Sequence, residues 1–149
     1  RCVEAFGGTG VRVVMAIGNS VRPESLGPVP PAMMVRRRVP QLEVLSRASL
    51  FITHGGMNSV NEALFYGVPM LVVPVGNDQP TVARRVEELG LGEALDIREA
   101  TPDVLREAAM RVLSDRECPA RLSEFRQETR NAGGNTKAAK LIIEQLNRV

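Results

Sequence analysis

The residues that could do chemistry crowd into one stretch, His54-Gly55-Gly56-Met57-Asn58-Ser59, with Glu62 one helical turn further on. Four apolar or β-branched residues, Leu50 to Thr53, lead into the glycine pair, and a helical pattern starts directly after it. Strand, tight turn and helix in that order aim the free backbone N–H groups of the helix's first turn at the space above the strand end, a ready anion site. Gly55-Gly56 permits close backbone approach to an anion, or simply a positive φ at a tight turn. Asn58 and Ser59 in the first helical turn add amide and hydroxyl donors and tip the reading towards phosphate. Each contact between a helix terminus and an anion is worth on the order of 0.3–1 kcal/mol, so several together would hold a diphosphate.

The neighbouring polar residues divide less cleanly. His54 suits a phosphate contact better than a general base, because no carboxylate nearby in sequence would orient it. Glu62 suits a ribose diol, accepting two hydroxyl hydrogen bonds, or is a solvated helix charge; spacing alone does not choose. Asp78-Gln79 place an acceptor beside a donor, which suits sugar hydroxyls. Spacing alone leans to the plainer reading there, an Asp N-cap followed by an ordinary first-turn Gln. Arg36-Arg37-Arg38 alternates across a strand and forms no flat patch. Arg38 could stack its guanidinium on a base, while the other two fit a solvated edge strand.

These residues need a scaffold, and the pattern along the chain supplies one. Val11 to Ile17 is a nearly continuous apolar run, expected as a strand buried on both faces. Gly18 to Pro31 carries four of the ten prolines and reads as a surface loop. Met33 to Val39 is the second strand, followed by Pro40 at the first position of a short helix, Gln41 to Ala48. Strand Leu50–Thr53, helix Met57–Tyr66 stopped by Gly67, strand Pro69–Val73, helix Thr81–Leu89 stopped by Gly90 and a weak strand Glu93–Ile97 follow in turn. Thr101 reads as the N-cap and Pro102 as the first residue of a further helix. The rest, to Val149, is helical in pattern and broken only near Asn131 to Asn135. Strand–helix alternation with continuous apolar strands predicts an α/β fold, a Rossmann-like parallel sheet with helices on both faces. Such sheets bind ligands beyond the carboxyl ends of their strands. His54, Gly76 to Gln79 and Val39 to Gln41 all follow strand ends, so they could converge on one crevice.

Composition sets the outer bounds. The 149 residues fit one domain, and 44% apolar with 24% charged residues is ordinary for a globular chain. A net charge of +2 and 3% aromatic residues argue against a dedicated nucleic-acid binder. Two cysteines are too few for a disulfide framework and fit a reducing, cytoplasmic setting. One histidine makes an all-protein zinc site a poor expectation. No apolar stretch approaches the roughly 20 residues that a membrane span needs. Arg1 to Gly10 is not a signal peptide. It reads as a helix end capped by Gly7-Gly8, as if cut from something longer.

From Val39 to Gln79 the sequence VPQLEVLSRASLFITHGGMNSVNEALFYGVPMLVVPVGNDQ is similar to the donor-binding signature of nucleotide-sugar glycosyltransferases of the GT-B fold. It most resembles the bacterial macrolide-glycosyltransferase branch. The resemblance is carried by His54, Gly56, Asn58, Ser59 and Glu62 in register, with Pro40-Gln41 before and Asp78-Gln79 after. It implies that His54 and Gly56–Ser59 hold a diphosphate, Glu62 the ribose hydroxyls, Val39 and Gln41 the base and ribose, and Asp78 with Gln79 the hexose hydroxyls. Arg38 stands where plant members carry a base-stacking Trp, which leaves uridine against thymidine open. The resemblance further implies an inverting, metal-independent transfer of a hexose from a UDP-glucose-like donor to a small-molecule acceptor, with no cofactor. It makes residues 1–149 the donor-binding domain, the C-terminal half of the GT-B fold without its first, central strand. The acceptor domain and the catalytic base are then expected elsewhere, so no catalytic residue is expected in this chain, which alone would be inactive and prone to self-association. Two other readings stay open: a non-catalytic sugar-nucleotide-binding subunit that needs a second polypeptide, and a half-domain akin to a sugar-nucleotide epimerase.

Overall fold

A computed structural model describes residues 1–147, and in it strands and helices alternate along the chain. The first part is a short helix, α1 (Cys2–Phe6), then β1 (Val13–Ala16), a loop with a single 3-10 turn, and β2 (Met33–Arg36). Next come α2 (Gln41–Leu45), β3 (Phe51–Thr53), α3 (Met57–Tyr66), β4 (Met70–Val72), α4 (Gln79–Glu88) and β5 (Gly92–Ala94). Three helices close the chain: α5 (Pro102–Ser114), α6 (Cys118–Asn131) and α7 (Gly134–Leu146). Val149, the expected end of the last helical stretch, lies outside the described residues.

All pairings are parallel, as the uninterrupted apolar strands predict. The strands nevertheless form two ladders rather than one sheet: β1 with β2, and β3-β4-β5 in that order. Among the described residues β1, β2, β3 and β5 thus each have a strand partner on one side only. The two ladders still share a core. Met33 of β2 is buried with Leu71, Leu95, Ala5, Phe6 and the inner face of α5, and Val13, Leu50 and Ile52 pack against that cluster. A second cluster lies on the opposite face of β4, where Met70 and Val72 meet Leu45, Val60, Ala63, Val82, Val86 and Leu122. β4 is therefore buried on both sides and carries the layered architecture.

β1 departs from expectation. It alternates half-buried and exposed residues, and Val14 and Met34 of the two-stranded ladder are 44% and 50% exposed. Helices cover one face of that ladder only, which a local apolar run cannot reveal. Pro40 is the N-cap of α2 rather than its first helical residue, and α4 starts two residues earlier than expected, with Asp78 at its N-cap. α3 spans the expected residues and ends at Gly67 in the left-handed conformation (φ 70°, ψ 40°). α6 holds the far end of α3 in place: the Arg130 guanidinium lies 4.8 Å from the Phe65 ring centre and donates to the Phe65 carbonyl at 3.1 Å.

Candidate functional site

Because the strands are parallel, the segments after β2, β3 and β4 emerge on the same edge. The turn after β3 is the tightest of them. Gly55 has φ +86°, and a Cβ on it would lie 2.6 Å from Cγ1 of buried Val72, so only glycine fits. Thr53 holds this turn, its Oγ1 accepting the Gly55 N–H at 3.3 Å. The hydroxyl makes Thr53 the one buried polar residue among those described, a role its strand position hides. A threonine two residues before a Gly is the local signal for such a turn.

Gly56 is the N-cap of α3 in extended conformation, and no side chain caps the helix. Its first bonded amide in the helix is that of Val60, which donates to the Gly56 carbonyl at 3.0 Å. The N–H groups of Met57, Asn58 and Ser59 therefore have no protein acceptor among the described residues and lie at the start of α3, just beyond the end of β3. His54 stands exposed beside them, and Nε2 of its ring would be only 2.7 Å from a Cβ on Gly56. The missing side chain at Gly56 is what lets the imidazole lie over the helix start. Positive helix-end dipole, three free amides, an imidazole and the exposed Asn58 side chain are together a geometry that could cradle an anion.

Gln41, the first residue of α2, joins the cradle to the next group. Its Nε2 donates to Glu62 Oε2 at 2.6 Å and to Ser59 Oγ at 3.2 Å, across to α3. All three side chains are half-buried, so Glu62 is neither a solvated surface charge nor an orphan. One Glu62 oxygen is oriented by Gln41 and the other remains to accept hydroxyl hydrogen bonds. Val39 is half-buried just ahead of α2, while Arg38 is exposed and sits beyond the end of β2, as does Arg37.

The loop after β4 borders the cradle directly. A Cβ on Gly55 would lie 4.0 Å from Gln79 Cβ and 3.7 Å from the Gln79 carbonyl oxygen. Asp78 is exposed and makes no capping bond, so its carboxylate stays open to the solvent side. Gln79 turns back instead: its Oε1 accepts the N–H of Val75 at 2.8 Å and of Gly76 at 3.2 Å. Sequence spacing did not foresee that bond. Among the described residues no cluster of three His, Cys, Asp or Glu could hold a metal ion, and no helix is long and apolar enough to cross a membrane.

Residues 2–145 match the family model described as erythromycin biosynthesis protein CIII-like, C-terminal domain. The chain belongs to that family. The erythromycin CIII-like assignment agrees with full-length relatives. The chain is 46% identical over 141 residues to the NDP-glycosyltransferase YjiC of Bacillus licheniformis, covering 95% of this chain and 36% of the relative. It is 40% identical over 147 residues to the oleandomycin glycosyltransferase of Streptomyces antibioticus, covering 98% of this chain and 34% of the relative. Among solved structures, the calicheamicin glycosyltransferase CalG4 superposes with a TM-score of 0.94 at 36% identity, over 99% of this chain and 38% of that one. The chain thus spans about a third of the length of the curated relatives it matches, and its fold is that of the C-terminal half of GT-B glycosyltransferases.

Proposed function

We propose that this chain binds the nucleotide diphosphate sugar donor of an inverting, metal-independent glycosyltransferase, with a UDP- or TDP-hexose as the ligand. The observation that carries the reading is the reach of Gln41 across to Ser59 and Glu62, beside the uncapped start of α3. Two helices supply an oriented carboxylate for a ribose diol next to free amides for a diphosphate. No bland packing role requires that combination.

The chemistry follows from the parts. The α3 amides, His54 and Ser59 would take the diphosphate oxygens, where negative charge grows as the sugar leaves. Fixed donors there stabilise the leaving group without a metal, since they are already oriented when charge develops. Glu62, held by Gln41, would accept from the ribose hydroxyls. Arg38 and Val39, between β2 and α2, would border the base, and Asp78 with Gln79 the hexose beside the diphosphate. The general base for the acceptor is proposed to lie outside this chain, since His54, the only histidine, is committed to the phosphates.

Titration calorimetry with UDP, TDP and their glucosides against uridine and thymidine tests this. Replacing His54 and Ser59 by Ala should weaken the diphosphates much more than the nucleosides. Equal losses for both classes would sink the phosphate assignment.

A further inference from the structure

Two residues of the turn after β3 are buried, Thr53 and Gly55, and the exposed His54 stands between them. The Thr53 carbonyl accepts the Val73 N–H at 2.8 Å, so the β3–β4 ladder fixes that residue. The Gly55 N–H has one acceptor among the described residues, Thr53 Oγ1 at 3.3 Å. That bond closes a small ring around the His54 backbone. Its weight follows from the glycine. Without a Cβ, Gly55 takes either sign of φ about as readily, so its own backbone does not choose the observed +86°. A buried amide needs a partner, and the Thr53 hydroxyl oxygen is the one within reach. Without that oxygen the peptide between His54 and Gly55 gains by rotating. The rotation turns the N–H outwards and carries the His54 ring off the start of α3.

We infer that Thr53 is a positioning residue for the diphosphate: its hydroxyl oxygen selects the turn conformation that sets His54 over the start of α3. This rests on the donor reading given above and adds to it a residue that acts from inside the protein. Thr53 is 7% exposed, so it works through the turn rather than on the ligand. The role is selective. In that reading the turn borders the phosphates, whereas Gln41 and Glu62, which would meet the ribose, hold each other across α2 and α3 at 2.6 Å. Loss of the Thr53 acceptor therefore weakens the grip on a diphosphate and spares the grip on a nucleoside.

Two variants of the 149-residue chain separate selection from packing. Thr53→Val keeps the β-branched shape but offers no acceptor; Thr53→Ser keeps the acceptor and loses a methyl group. Amide hydrogen exchange at Gly55 reads the turn without any ligand. It should rise about tenfold in Thr53→Val and stay at the wild-type rate in Thr53→Ser, as expected for the loss of a hydrogen bond of ordinary strength. Calorimetry with UDP and uridine reads the site. The ratio of their affinities should fall about tenfold in Thr53→Val, with uridine unchanged, and keep the wild-type value in Thr53→Ser. Wild-type exchange or a wild-type ratio in Thr53→Val overturns the positioning role. An equal loss of both ligands overturns it as well, because it marks a residue that only supports the fold. So does a ratio that falls as far in Thr53→Ser, since the methyl group is then the cause. A wild-type chain that binds UDP no better than uridine overturns the phosphate reading itself, and the positioning role falls with it.

Discussion

Gly55 and Gly56 stand side by side under different constraints, and the difference makes separable predictions. At Gly55 an added Cβ meets both a left-handed backbone and the buried Val72. Gly55→Ala should therefore cost about 1–3 kcal/mol of stability and lower the melting temperature by several degrees. At Gly56 the backbone is ordinary (φ −62°) and the obstruction is His54 Nε2, on an exposed side chain that can swing aside. Gly56→Ala should melt like the wild type but bind UDP more weakly, because the imidazole leaves the helix start. Equal melting of the two variants would contradict this division. Glu62→Gln poses a complementary question. It keeps size and helix propensity but loses a charge-assisted acceptor, whose bonds are worth on the order of 1.5–3 kcal/mol each. Nucleotide binding should drop at least tenfold with little change in melting, since the substituted amide still offers Gln41 an oxygen. Unchanged binding in the calorimeter would return Glu62 to a structural helix charge.

At the scale of elements, what could be read in advance was what punctuation residues mark. α3 is bracketed by Gly56 and Gly67 and was legible to the residue, as was the start of α5, where Thr101 Oγ1 accepts the Val104 N–H at 3.3 Å. The tight turn at Gly55 and Gly56 was legible for the same reason, since glycine acts locally. The break between α5 and α6 was not. A helical period runs through Asp115, yet the chain turns there, and Asp115 Oδ1 accepts the N–H groups of Glu117 and Cys118 at 2.8 and 3.2 Å. The signal was present in Asp115 and Pro119 flanking Cys118, a capping pattern masked by continuous apolar spacing. Gln41 with Glu62, and Gln79 with its loop, were equally out of reach, because tertiary placement decides which helix face meets which turn. The new cap has a pH signature. Those backbone bonds, with Arg121 Nη2 at 2.7 Å, hold the Asp115 carboxyl below the ordinary carboxylate range. A folded-state pKa below the unfolded one gives stability that is present above about pH 4 and is lost as pH falls through the folded value. Asp115→Asn should melt lower than wild type at pH 7, and the gap should close as the pH is lowered towards 3 in a series of thermal melts. A gap independent of pH would mean that the charge contributes nothing to the cap.

The whole molecule carries a tension that none of its elements shows alone. Among the described residues both ladders end in unpaired edges, those of β1 and β3 included, yet Met33, Val13, Leu50, Ile52 and Leu71 draw both ladders into one core. Backbone groups on such edges are left to water or to another chain, and a buried one without a partner costs about 1–3 kcal/mol. Against a typical total of ~5–15 kcal/mol, a few of these consume much of the stability. α7 adds to the exposure: it buries no residue, and Leu141, Ile142, Ile143 and Leu146 are 53%, 61%, 56% and 70% exposed along it. Open parallel edges and an uncovered apolar stripe both favour association. The 149-residue chain by itself should therefore melt early and scatter light as oligomers, with the associated fraction rising with concentration. It should also bind nucleotide while transferring no sugar, since the only histidine lies beside the start of α3, where the proposed function gives it to the diphosphate, and the chain spans about a third of its glycosyltransferase relatives. Light scattering through a thermal ramp measures the first expectation. Product detection with UDP-glucose and a general phenolic acceptor measures the second. A stable monomer would show that the two ladders close on each other without help. A monomer that also glycosylates the phenol would place the base within these residues and remove His54 from the phosphate cradle.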